Sequence, residues 1–405
     1  MFGRDRPSGL TTRGRCLLAG GIATAVCAVV LDERDLLRIG LFVCLLPVVS
    51  LLLALRTRRS VKASRSVAPD RVSAGSATRV ALALRGGPVP GPLRLTDAVP
   101  DAAGAVRDAP PRFTVHRLGS GGATVTYPLR PLLRGAHRIG PLACRATDAL
   151  GLVELTSELL PADRLLVLPR VAVLRGVPAA LGGGEGTPGA AVAHQGQGSP
   201  DVLIRGYRHG DELRRVHWKS TARHDELMVR LEERPWRGGI TVLLDRRDDA
   251  HRGHGPGSSL EFAVSMAASV GVHLIRRGEP VELVTENGTS LQASDGVDAL
   301  LDGLAVLRPV SSPSLAGPPL ATADDLVAVL GALAPGDAET LAERRPAGGY
   351  AILLDVATWD RGGSTAAASA AVLRRMGWHV TVVAAGTGVE RVWDAVVAAE
   401  RVRVS

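Results

Sequence analysis

Two apolar runs near the start of the chain constrain everything that follows them. "CLLAGGIATAVCAVVL" spans Cys16 to Leu31, and "IGLFVCLLPVVSLLLAL" spans Ile39 to Leu55. Each falls a little short of the ~20 residues that cross ~30 Å of hydrocarbon, a gap that flanking arginines close by snorkelling. Only "DERDLLR" separates them, so residues 1–60 read as a transmembrane helical hairpin, with residues 16–31 and 39–55 in the lipid bilayer. Pro47 kinks the second helix, which membranes tolerate. Arg4, Arg6, Arg13 and Arg15 precede the first run, and Arg56, Arg58, Arg59, Lys62 and Arg65 follow the second. Positive flanks stay inside, so both ends of a multi-pass plasma-membrane protein, and all its soluble domains, are expected in the cytoplasm. The competing reading of the first run is a cleaved signal peptide. Against it, no polar cleavage region follows Leu31 before the second apolar run begins.

The remainder has the composition of folded domains, with the whole chain 46% hydrophobic and 22% charged. A net charge of +8 invites nucleic acid, but the arginines are spread along the chain and aromatics make up 3% of it. A stacking platform for single strands needs aromatics, so no nucleic-acid partner is expected. Cys16, Cys27, Cys44 and Cys144 form no CxxC pair, so neither a zinc site nor a disulfide framework is indicated.

Residues 61–173 consist of short β-like runs between turns: "TRVALALRG", "ATVTYPLRP" and "GAHRIGPLACRATDALGLVEL", the last bending at "DALGL". Regular spacing of such runs suggests a β-sandwich of Ig-like type, with His116 and His137 as ordinary strand residues. Residues 174–200, with "LGGGEGTPGAAVAHQGQGSP", read as a Gly-rich linker or loop. From residue 238 to 405 the pattern alternates. "GITVLLD" reads as a buried strand ending at Asp245. "SSLEFAVSMAASVGVHLIRRG" is a helix with Ser258 or Ser259 as N-cap and Gly278 past its end. "PVELVTENGTSLQA" is a hairpin turning at Asn287-Gly288; the glycosylation pattern there is outweighed by the turn. "YAILLD", "TAAASAAVLRRMG", "HVTVVAAG" and "VERVWDAVVAAERV" follow as strand, helix, strand and helix. Strands alternating with helices imply a doubly wound, mostly parallel α/β sheet.

Between linker and sheet, residues 201–237 hold the most informative text, "RGYRHGDELRRVHWKSTARHDELMVRLEE". Asp211 is a good N-cap for a helix over "ELRRVHWKSTAR", and "ELMVRLEE" alternates like a strand. Lys219 is one of only two lysines in an arginine-rich chain. Arg205, Tyr207, Asp211, Arg214, Trp218, Lys219 and Arg223 are the candidate partner-binding residues, since Trp, Tyr and Arg dominate interface hot spots. An ion-pair lattice of Arg205, Asp211, Arg214 and Arg223 under Tyr207 and Trp218 is the structural alternative. His209, His217 and His224 lie at roughly helical intervals, but a solvated polar face explains them as well as a zinc site does.

This stretch resembles the signature of the domain of unknown function 58 family. It matches at Arg205, Tyr207, Gly210, Asp211, Arg214, Trp218, Lys219, Thr221, Ala222 and Arg223, with Val216 for the usual Ile. "RGAHRIGPL", "DALGLVEL" and the two-helix start are similar to family elements as well. The resemblance implies an inner-membrane protein with a C-terminal domain like those of von Willebrand factor type A. It also implies the company of a MoxR-type AAA+ ATPase and transglutaminase-like proteins. Type A domains can hold a divalent cation through Asp-x-Ser-x-Ser after the first strand. Here Asp245 matches, but Arg247 and Asp249 occupy the serine positions, and an arginine puts a cation where a metal would sit. Asp355 also ends a strand and is the second carboxylate of a weak metal candidate.

With no nucleophile elbow, Walker loop or dinucleotide fingerprint in strand-turn-helix context, no catalytic residue and no cofactor are expected. The chain is expected to be a non-enzymatic scaffold or adaptor. The alternative is a divalent-metal-dependent type A binding module, or an enzyme, using Asp245 and Asp355. The charge asymmetry makes one firm prediction: a reporter active only outside the membrane, fused after Ser405, stays silent. Strong reporter activity there would reverse the topology.

Overall fold

The computed structural model describes residues 9–86, 91–99, 111–115, 118, 122–178, 181, 203–206, 228–231, 239–291, 296–312, 314–320, 325–360 and 366–404. They divide into two compact units. The first holds Met1–Val171 with His254–Gly257 and Leu301–Arg308; the second holds the rest.

The first unit opens with β1 (Gly9–Leu10), α1 (Thr12–Val30) and α2 (Arg34–Ser60). At 19 and 27 residues these helices outrun the apolar text that suggested them, because Arg13, Arg15 and much of "DERDLLR" are themselves helical. Among the described residues, two helices, Thr12–Val30 and Arg34–Arg56, are long and apolar enough to cross a membrane. They approach closely where side chains are small: a Cβ on Gly40 would come within 2.7 Å of the Ala25 backbone nitrogen. The chain reverses at Leu31–Glu33, with Asp32 at a left-handed φ of 54°.

The strands that follow are β2 (Lys62–Ala68), β3 (Arg71–Ser73), β4 (Thr78–Arg85), β5 (Leu93–Asp97), β6 (Arg112–Val115), β7 (Ala123–Leu129), β8 (Gly135–Ile139), β9 (Leu142–Thr147), β10 (Val153–Leu160) and β11 (Asp163–Leu168). They form a five-stranded sheet, β1-β10-β9-β5-β6, and two three-stranded sheets, β2-β4-β7 and β3-β11-β8. Alternation drives this. Val80, Leu82 and Leu84 point inward from β4, and Leu93 and Leu95 from β5, joining Ile139, Leu142, Leu165 and Val167 in one core. Each such burial contributes about 1.5–3 kcal/mol. The pairing Gly9↔Glu154 and Leu10↔Val153 ties the segment before α1 to the β domain that follows α2. From α2, Ala54 packs with Leu152, Val153 and Leu155, so both ends of the helical hairpin meet the start of β10.

One polar cluster interrupts the apolar core. Asp97, fully buried, accepts from Arg65 Nε at 3.2 Å and from the Tyr127 hydroxyl at 2.6 Å. Burial and the neighbouring carboxylate push the Tyr127 phenol well above its ordinary range. Arg65, counted in the sequence among the cations flanking the membrane, instead binds Asp97 and Asp163 within the β unit. His137 lies in β8, as expected, with its ring Nε2 2.8 Å from the Leu133 carbonyl; His116 lies outside the described residues.

In the second half come β12 (Leu203–Gly206), β13 (Met228–Leu231), β14 (Ile240–Leu244), α3 (Ser259–Arg276), β15 (Val281–Thr285), β16 (Ser290–Leu291), α4 (Val297–Val306), β17 (Asp325–Leu330), α5 (Asp337–Arg344), β18 (Tyr350–Leu354), α6 (Ala367–Arg375), β19 (His379–Val383) and α7 (Val389–Val404). Strands β14 to β19 form a six-stranded sheet of order β16-β15-β14-β17-β18-β19, parallel except for β16 at its edge. Every residue of β14 and β18 is buried, as a sheet covered on both faces requires. Ser258 caps α3 by accepting from Glu261 N at 3.3 Å. Asn287 and Gly288 turn the β15–β16 hairpin, with Asn287 Oδ1 accepting from the Thr285 hydroxyl and from Thr289 N. Ahead of β12 the segment at 172–178 is docked on this unit. Trp393 Nε1 donates to the Gly176 carbonyl at 3.0 Å, and the His273 ring meets the same oxygen at 2.9 Å.

Candidate functional site

The six-stranded sheet changes direction at β14: the next strand, β15, lies on one side of it, and β17 on the other. In open α/β sheets such a reversal opens a crevice beyond the carboxyl ends of the strands, and ligands bind there. Asp245 is the first residue past β14 and is fully buried. Its N–H donates to Val329 O at 3.0 Å, which pins it against the end of β17.

The crevice is filled from within by Arg247, only 3% exposed. Its Nε and Nη2 donate to the two oxygens of Asp245 at 3.0 and 2.9 Å, a fork-to-fork pair. Nη1 donates to Asp337 Oδ2 at 2.8 Å, and Nη2 also reaches the Ala332 carbonyl at 3.2 Å. Burial works against this charge, but the hydrogen bonds and proximity of Asp245 and Asp337 outweigh it and raise the guanidinium pKa above its ordinary value. Asp337 opens α5, where a carboxylate is favoured by the helix dipole, and it also accepts from Ala334 N at 2.8 Å. The loop after β17 closes tightly: a Cβ on Gly331 would run into the Ala250 carbonyl.

His251 lies beneath this pair. Its Nε2 is 2.8 Å from the Asp245 carbonyl, which only accepts, so Nε2 carries the proton. Nδ1 then accepts from the Ser259 hydroxyl at 3.1 Å. Burial, opposed by Asp245 and Asp248 and reinforced by Arg247, lowers the His251 pKa. Beside the crevice, Arg246 pairs with buried Glu286 at 3.2 Å.

The sequence picked out Asp245 and Arg247 but not the third member, Asp337. Asp355 does not join them: β17 lies between β14 and β18, and its carboxylate accepts from Ala366 N at 3.3 Å. Asp249 is exposed in the short helical turn after Arg247. Among the described residues, no group of three or more His, Cys, Asp or Glu is arranged to hold a metal ion. The donor set explains this locally, because both oxygens of Asp245 are already engaged by a guanidinium.

Of the signature residues, only Arg205 falls within the described part, in β12; Tyr207, Asp211, Arg214, Trp218, Lys219 and Arg223 lie outside it. What frames them is clear. β12 and β13 pair antiparallel with Leu203 opposite Leu231 and Gly206 opposite Met228. The segment 207–227 thus leaves from and returns to the end of a two-stranded stem, and β13 is the strand that the alternation of "ELMVRLEE" implied.

Fold and site together define a class: an α/β module in which the switch point of the parallel sheet is closed by an internal arginine–aspartate lattice, with a two-stranded antiparallel stem ahead of its first parallel strand. The model of the family described as "Protein of unknown function DUF58" matches residues 203–333, from the stem to just past β17. The uncharacterized protein YeaD of Bacillus subtilis is 28% identical over 232 residues, 56% of this chain and 56% of that protein. The chain thus spans about half the length of the curated relative it matches. Among solved structures, the CARDB domain of a Pyrococcus furiosus protein is 17% identical, covering 26% of this chain and 91% of that one with a TM-score of 0.19. The cupredoxin domain of amoB from Nitrosocaldus yellowstonii is 15% identical, covering 27% and 87% with a TM-score of 0.19. Both likenesses are slight.

Removing Arg247 leaves two carboxylates buried without their cation. Arg247→Ala is expected to cost about 3–5 kcal/mol, read as a fall in the urea midpoint of the full chain in detergent. Wild-type protein is expected to give no saturable heat with magnesium, manganese or calcium; micromolar binding abolished by Asp245→Ala would show that the guanidinium yields to a metal. His251 adds a pH dependence. Its folded pKa lies below the unfolded value of about 6.5, so the unfolded chain binds the extra proton as pH falls. The stability it contributes is complete above about pH 6.5. It declines below that by up to about 1.4 kcal/mol per pH unit until the folded pKa is reached. Urea titrations at a series of pH values should show this slope, and His251→Gln should flatten it.

Proposed function

We propose that the chain is a membrane-anchored, non-enzymatic scaffold that presents its cytoplasmic domains to a protein partner, a MoxR-type AAA+ ATPase. The observation that carries this reading is Arg247. With its guanidinium closing the crevice at the switch of the sheet, the α/β unit has its cation built in, and its working surface lies elsewhere. The segment that fits is 207–227, which carries Tyr207, Trp218 and four arginines and is joined to the β12–β13 stem at both ends. A von Willebrand A-like reading of the α/β unit accords with a parallel sheet edged by one antiparallel strand. An Ig-like sandwich accords with the alternating strands of the first unit.

Anchoring is supported by two apolar helices. A cytoplasmic location is supported by basic flanks and by the strand before α1 pairing with the β domain after α2. A transglutaminase-like protein is a further partner consistent with the resemblance. The divalent-metal binding module is less well supported, since Asp245 is paired with Arg247 and Asp355 lies two strands from it.

The test uses purified ATPase and detergent-solubilised chain. A compact ammonium at 219, where the chain's bias would place arginine, marks a site that a planar guanidinium does not suit. Lys219→Arg is expected to keep a melting point near wild type and to weaken capture. Trp218→Ala is expected to weaken it by about 2 kcal/mol or more, as an interface hot spot does. Normal capture by Lys219→Arg, together with unfolding of Trp218→Ala, would make the motif structural.

A further inference from the structure

Residues 148–152 form a tight turn between β9 and β10. The Asp148 carboxylate closes it by accepting from Leu150 N at 3.2 Å and Val153 N at 2.7 Å. Gly151 supplies a left-handed φ of 69°. The turn is bonded to the start of α1: Thr11 donates through its N–H to Leu152 O at 2.8 Å and through its hydroxyl to Gly151 O at 2.7 Å. Gly14 leaves no room for a Cβ against the Leu152 carbonyl. From the other helix, Ala54 packs in a cluster with Leu152, Val153 and Leu155. Both helices therefore fix the height of the turn, level with the first turn of α1 and with the end of the apolar stretch of α2.

That height matters in a bilayer. The 19 residues of α1 rise about 1.5 Å each, which matches a hydrocarbon thickness of about 30 Å with nothing to spare. The first turn of α1 then lies where acyl chains meet headgroups, and its exposed Arg13 and Arg15 suit that layer. At the same level the turn exposes Ala149, and Leu150 at 58%. One exposed leucine is ordinary on a surface facing water; this one faces the level of the lipid.

We propose that the turn at 148–152 is a third membrane contact, in which Leu150 inserts among the acyl chains just below the headgroups and holds the β domain against the lipid surface. This rests on the membrane-anchor reading of the α1–α2 hairpin, and the experiment separates the two. Photoreactive benzoylphenylalanine replaces Leu150 in one sample and Phe42, exposed on α2, in another. The full chain is reconstituted into vesicles of phosphatidylethanolamine and phosphatidylglycerol, illuminated, and analysed by mass spectrometry for lipid adducts. Adducts are expected at both positions in comparable yield. An adduct at 42 with none at 150 overturns the proposal and leaves the hairpin in the membrane. No adduct at either position overturns the membrane reading and the proposal with it.

Discussion

A guanidinium held between two buried carboxylates is the interaction around which the α/β unit is arranged. Asp245 immediately follows β14, Asp337 starts α5 after β17, and Arg247 joins them across the point where the sheet reverses. Burying any of these charges alone would be costly; burying them together with four guanidinium N–H bonds made is tolerable. The lattice also sets the positions of the loops around it, since the loop after β17 contributes both a carbonyl to Arg247 and an N–H to Asp337. His251 supports the same point from below through the Asp245 carbonyl.

The β unit solves a different problem. Its sheets must be joined to two helices that expose apolar side chains along most of their length. The joint is made by main chain and one hydroxyl: the Thr11 N–H and Oγ1 donate to the Leu152 and Gly151 carbonyls, β1 adds a short strand to β10, and Gly14 allows the close approach. Small residues and hydrogen bonds to main-chain carbonyls make this junction.

Much of this was legible in the text of the chain. Apolar runs gave β14, β18 and β19; Ser258 or Ser259 marked the start of α3; Asn287-Gly288 marked a hairpin. These signals are local. The central strand β17, "DLVAVL", escaped notice although it pairs with β14 and β18, because five consecutive apolar residues are too few for periodicity to tell a buried strand from a piece of buried helix. Asp337 escaped for a stronger reason: it meets Arg247 across 90 residues of sequence, and no spacing rule reaches that far. Likewise Arg65 looked like a membrane-flanking cation because its partner, Asp97, is 32 residues away in another sheet. The chemistry of Arg247 as a misplaced cation could be read in advance; the identity of what it neutralises could not.

The β12–β13 stem has a consequence for how such a chain diversifies. Because Gly206 sits opposite Met228, whatever lies between them begins and ends at one place. The closure entropy of such a loop grows only as the logarithm of its length, about 0.6 kcal/mol per doubling. The segment can therefore be lengthened, shortened or rewritten at small thermodynamic expense while the parallel sheet and its arginine lattice stay as they are. The stem thus tolerates changes of length between Gly206 and Met228, so the signature residues from Tyr207 to Arg223 are not there to satisfy closure of the chain.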